Sequence, residues 1–102
     1  MTWVPPSCTL PTAERPLRVA EFDALFATAV TGASRPAPER LTLRLEPTPA
    51  VAATAAGLAV RETGCCSFFT FALTAAGGEL TLDVTVGPAH VAVLDALARR
   101  AS

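Results

Sequence analysis

Lysine is missing from this chain: all eight basic residues are arginines, scattered against nine acids for a net charge of −1 and a pI near 5.7. A nucleic-acid surface concentrates positive charge on one face, so this balance argues against one. No run of like charge occurs, and no apolar stretch approaches the length of a membrane span. No Lys/Arg-led signal peptide opens the sequence, so the expectation is a soluble cytoplasmic protein that contacts neither membrane nor nucleic acid. There is no CxxC, which argues against a thioredoxin-type exchange centre, and no paired CxxC for a zinc ribbon. Neither GxGxxG nor GxxxxGK[ST] appears, which leaves no nucleotide fingerprint. No paired-carboxylate hydrolase is visible. Only three cysteines are present, Cys8, Cys65 and Cys66, and two of them are adjacent.

In 102 residues there is room for one domain with a modest core. Residues 1–16 carry Pro5, Pro6, Pro11 and Pro16 and read as an N-terminal arm, packed through Trp3, Val4 and Leu10; residues 17–102 read as a single α/β domain. Phe22, Leu25, Phe26, Ala29 and Val30 recur at helical spacing up to a stop at Thr31-Gly32. TGASRPAPER reads as a proline-broken loop. Leu41, Leu43 and Leu45 alternate with polar residues as in a half-buried strand. Thr48-Pro49 opens a second helix through Val51, Ala55, Leu58, Ala59 and Glu62 to Gly64. Ser67–Thr74 and Leu80–Val86 read as a hairpin around AAGG, and Gly87-Pro88 starts a last helix with Val91, Leu94, Leu97 and Ala98 on its apolar stripe. The order α-β-α-β-β-α predicts a two-layer sandwich on a three-stranded mixed sheet, with a parallel crossover between the first two strands. Its open edges are compatible with a homodimer.

If Thr74 faces Glu79 across the hairpin, Ser67 pairs with Val86. Cys65 and Cys66 then lie beside Gly87 and Pro88, where the free amides and positive dipole end of the last helix favour thiolate. His90 falls in the first turn of that helix, and a parallel crossover brings Arg40 to the same end of the sheet. Adjacent cysteines rarely bridge each other, because the ring strains the peptide bond. Two thiolates at one turn suit soft ions: Hg(II), As(III), Cu(I) or Zn(II). Cys8 is the candidate third sulfur.

Each residue also has a plainer reading. Free cysteine is among the most buried residue types, so Cys65, Cys66 and Cys8 could be core packing. His90 could cap a helix or sit in solvent, Phe68, Phe69 and Phe71 could be core, and Asp83, between threonines, reads as solvent-facing. Glu62, an anion at a helix C-terminus, is electrostatically misplaced and hints at a purpose. Three functions remain: a soft-metal or metalloid binder, a thiol enzyme using Cys65, Cys66 and His90 as a reductase or carbon–metal lyase, and a structural or dimerisation module with inert cysteines.

CTLPTAERPLRVAEFDALFATAV, RETGCCSFFTFAL and VGPAHVAVLDAL together resemble a group of short actinobacterial proteins sharing a CC(S/P)FFxF motif. Similar segments recur at the end of some mercury-responsive-type regulators. The likeness spans almost the whole chain, and it implies that Cys8, Cys65 and Cys66 belong to one pattern concerned with heavy metals, in metal resistance. Where other members carry Glu immediately before the pair, Gly64 stands here. Organomercurial lyases use two cysteines with a carboxylate, but no wider match to them exists.

Overall fold

Alternating leucines in RLTLRL and ELTLDVT give two strands one apolar row each, and these strands form the centre of the sheet. The computed structural model describes residues 15–65 and 68–101, with side chains for 20–64 and 68–101. In chain order come α1 (Arg15–Ala29), β1 (Val30–Ala37), β2 (Arg40–Leu45), α2 (Pro49–Cys65), β3 (Thr70–Ala76), β4 (Glu79–Thr85), a 3-10 turn (Pro88–His90) and α3 (Val91–Ala101). Residues 1–14 of the expected arm lie outside the described residues. Pro16 falls in the first turn of α1, where its missing N–H costs nothing.

The sheet has four strands in the order β1-β2-β4-β3, and every neighbouring pair is antiparallel. This corrects the three-stranded mixed sheet in two respects. TGASRPAPER is not a loop: residues 30–37 form β1, which pairs with β2 across a turn at Pro38-Glu39. As an edge strand, β1 tolerates Pro36, and two register shifts, between Val30 and Gly32 and between Ser34 and Ala37, hide any alternation. The expected crossover is also modified. β2 and β3 do run parallel and are joined through α2, but β4 lies between them.

The β3–β4 hairpin is tighter than AAGG implied. Ala76 pairs with Glu79 and Thr74 with Thr81, a two-residue shift from the expected register. Gly77 and Gly78 alone make the turn, with φ of 59° and 78°. Two successive positive φ values match the natural twist of a two-residue hairpin, and glycine adopts them without Cβ strain.

One face of the sheet carries the core. Leu41, Leu43, Leu45, Leu80, Leu82, Val84 and Val86 are buried together with Phe22, Leu25, Phe26 and Ala29 of α1, Ala55 and Leu58 of α2, and Leu94 and Leu97 of α3. Most of each helical stripe read from the sequence packs on the core, but Ala59 and Val91 do not belong to it, and in α3 Val93 and Ala96 pack there beside Leu94, Leu97 and Ala98. Val30 leaves the helix, becoming the first residue of β1 while still packing against the core. α2 lies against β3 and α1, and α3 against β1 and β2, so the helices spread across the same face. On the other face Thr42, Arg44, Thr81, Asp83 and Thr85 remain at least partly exposed. No described helix is long and apolar enough to cross a membrane.

Candidate functional site

α2 begins where Thr48 Oγ accepts the Val51 N–H at 3.2 Å, with Pro49 as its first residue. It ends at Cys65, one residue beyond the expected stop at Gly64. Gly64 has open space at its Cβ position, so nothing there forces the helix to break. Cys65 therefore belongs to the last turn of a helix rather than to a loop. Its side chain, all of Cys66, and Cys8 lie outside the described residues, so the structure does not place their sulfurs. A helix C-terminus carries partial negative charge, which disfavours thiolate at Cys65, opposite to the help expected from a helix start.

Glu62, one helical turn before Cys65, is completely buried, at 0% exposure, and is the only buried charged residue among the described ones. It continues the inward row Val51, Ala55 and Leu58 at steps of four, three and four. That row was legible as a helical stripe, but a carboxylate is the residue such a stripe least leads one to expect inside. Burying a carboxylate is costly, and the dipole at this end of α2 adds to the cost.

The chain re-enters the described structure at Phe68. The Phe68 ring lies nearly parallel to the His90 imidazole, with centroids 4.1 Å apart and planes 9° from parallel, and it also packs on Phe69 at 4.7 Å. Phe69 is buried in the core. His90 closes the 3-10 turn, donating its backbone N–H to the Gly87 carbonyl at 3.0 Å. The structure thus brings His90 against the segment that follows the cysteines. Sequence register pointed to this neighbourhood but not to the stack.

Arg40 does reach this end of the sheet, pairing with Thr85 through the antiparallel β2–β4 ladder rather than through a parallel crossover. Its guanidinium is engaged elsewhere, 3.2 Å from Asp83 Oδ1. Thr42 Oγ donates to the same oxygen at 2.5 Å. Arg40 and Thr42 alternate with the buried Leu41, so this network lies on the open face, away from α2. Asp83 is accordingly not a free solvent-facing acid.

α1 and α2 run antiparallel: Arg61 Nη2 meets Glu21 Oε2 at 2.6 Å near one end, while Thr28 and Ala29 line a groove with Ala50 and Val51 at the other. The start of α1, from which the chain leads back to Cys8, therefore lies at the Cys65 end. Among the described residues no three His, Cys, Asp or Glu side chains converge as a metal site. A cleft of about 440 Å³ opens at the opposite end of the sheet, between Pro47–Pro49 and the Gly77-Gly78 turn, where Glu79 is the only titratable residue lining it among the described residues. No protein-family model, curated protein or solved structure matches this chain.

Proposed function

We propose that the chain binds a soft metal or metalloid ion of the Hg(II), As(III) or Cu(I) class through the Cys65 and Cys66 thiolates, with Cys8 as a third sulfur. The observation that carries this reading is the fully buried Glu62 one turn before the pair. A fully buried titratable side chain one helical turn before two soft ligands in sequence marks this end of α2 as a candidate site. Phe68, two residues after Cys66 in sequence, stacks on His90, and an apolar wall of this kind would strengthen metal–thiolate electrostatics by excluding water. Cys8 is seven residues ahead of Arg15 in sequence, a reach of roughly 23 Å when extended, and α1 starts at the Cys65 end of the helical layer. The resemblance of the CCSFFTF segment to those that end mercury-responsive-type regulators points the same way.

Binding releases the thiol protons, so affinity rises with pH. Native mass spectrometry of the reduced chain, titrated with Hg(II), As(III), Cu(I) and Zn(II) against glutathione, is the test. A one-to-one adduct that is lost in Cys65→Ser and in Cys66→Ser supports the site, and Cys8→Ser separates two sulfur ligands from three. An adduct no stronger than that of free thiols overturns it.

A thiol enzyme is the second reading. The same Glu62 favours it, because a buried carboxyl one helical turn from a thiol pair in sequence could carry a proton to a leaving group. Product release beyond one equivalent distinguishes an enzyme from a binder.

A further inference from the structure

The two edges of the sheet are built differently. β1 breaks its pairing with β2 twice and contains Pro36. Its Arg35 is tied to Asp95 of α3 and to the Pro38 carbonyl, at 2.7 and 2.6 Å. Bulges, proline and charge are the devices by which an edge strand refuses another strand. β3 has none of them. Its seven residues pair with β4 without interruption from Thr70–Thr85 to Ala76–Glu79, and TFALTAA holds neither charge nor proline. Phe71 and Leu73 are only partly buried, while their partners Val84 and Leu82 are 1% exposed.

The helix beside this edge shares its character. α2 carries no charge from Pro49 to Val60, and its outer side shows Ala53, Ala56 and Val60. Val60, at 71% exposure, is the one large exposed hydrophobic among the described residues. The outer faces of α1 and α3, by contrast, carry Glu21, Asp23, Arg99 and Arg100.

We infer that the β3 edge and the outer side of α2 form an isologous interface with a second copy of this chain. Among the described residues no strand pairs with the outer side of β3, and such an edge suits an extended strand that satisfies its outward N–H and C=O groups. An uncharged flank gives no return to a charged partner for desolvating it, whereas the same flank on a second copy matches it. A two-fold axis at β3 sets the strands antiparallel and necessarily brings α2 toward its counterpart, where alanines permit close approach. The product is an eight-stranded sheet in the order β1-β2-β4-β3-β3-β4-β2-β1. Both of its outer edges are then the guarded β1, which accounts for why only one edge is guarded. Antiparallel pairing places the two Cys65 ends far apart, so this inference stands independently of the thiol reading.

Sedimentation equilibrium of the full chain, kept reduced so that no intermolecular disulfide contributes, is the test. The expected mass is twice 10.5 kDa at high micromolar concentration. Thr74→Lys on β3 and Val60→Glu on α2 should each weaken self-association by at least tenfold, while Ser34→Lys on β1 leaves it unchanged. Amide exchange in the unmodified chain supplies a readout that needs no variant: residues 70–76 should exchange more slowly as the protein is concentrated. A monomer at every concentration, an exchange rate in β3 that ignores concentration, or a dimer weakened by Ser34→Lys and by neither of the others would overturn the inference.

Discussion

The two ends of the sheet are lined by different chemistry. At one end, the Gly77-Gly78 turn and the start of α2 enclose a cleft of about 440 Å³ with Pro47, Pro49 and Ala52 in its walls. At the other, α2 ends through Glu62 and Cys65, and Phe68 stacks on His90. The contrast teaches that a cleft alone is a poor guide in a small sandwich. A cleft forms wherever a tight hairpin and a helix start fail to fill a corner. A buried acid persists only where something offsets its desolvation.

A substitution that both ends share should erase the contrast. Leu43 lies at 0% exposure in the central strand β2, opposite Leu82. Leu43→Ala is expected to cost about 2–5 kcal/mol through lost burial and the cavity left behind, read by urea denaturation. Thiol alkylation and exchange of the turn amides should then accelerate together. If only one end loosened, the sheet would not be the common support of both.

Glu62→Gln sharpens the contrast in favour of the cysteine end. If the buried carboxylate serves the thiol site, this substitution should weaken Hg(II) or As(III) binding at least about tenfold, equivalent to about 1.4 kcal/mol. Glu79→Gln in the cleft should leave binding unchanged. Isothermal titration in a competing thiol buffer measures both, and equal effects from the two substitutions would deny Glu62 any role in the site.

Much of this architecture was legible in the residues, and what was hidden was hidden for physical reasons. Helical spacing of Phe22, Leu25, Phe26 and Ala29, and alternation of Leu41, Leu43 and Leu45, report burial directly, and those residues are buried. β1 escaped because VTGASRPA owes its strand to hydrogen bonds with β2 rather than to an apolar face. The place of β4 between β2 and β3 escaped because both partners show the same alternation, which carries no information about order. At the candidate site, Glu62 stood in view at the end of an apolar row, yet its complete burial depends on what packs over that row. The Phe68–His90 stack joins residues 22 positions apart, a contact that no local pattern encodes.

At the cleft end, the glycine turn offers a smaller perturbation. Gly77 and Gly78 hold φ of 59° and 78°, and nothing lies within 4 Å of a Cβ built on either. Their cost on substitution is therefore backbone strain alone. Gly77→Ala should destabilise the fold by about 1 kcal/mol, seen as a lower denaturation midpoint with an unchanged urea slope. Thiol reactivity at the far end should stay constant, whereas a change there would show the ends to be coupled.

The smallest effect expected lies in the helical layer between the two ends. Arg100 of α3 donates to both carboxylate oxygens of Asp23 of α1, through Nε at 2.8 Å and through Nη2. These hydrogen bonds hold the Asp23 carboxyl below its ordinary range, against a weaker opposing effect of desolvation. A depressed folded-state pKa means that the unfolded chain binds the proton more readily. The pair's contribution is therefore complete above the unfolded value of about 3.9 and is lost as pH falls through the lower folded value. With both side chains about one-third exposed, solvent screening keeps the contribution small. Asp23→Asn should remove this part of the acid dependence and flatten the stability profile below about pH 4, while leaving neutral-pH metal binding as it was. An unaltered acid profile in that variant would show that Asp23 and Arg100 do not hold α1 to α3 in solution.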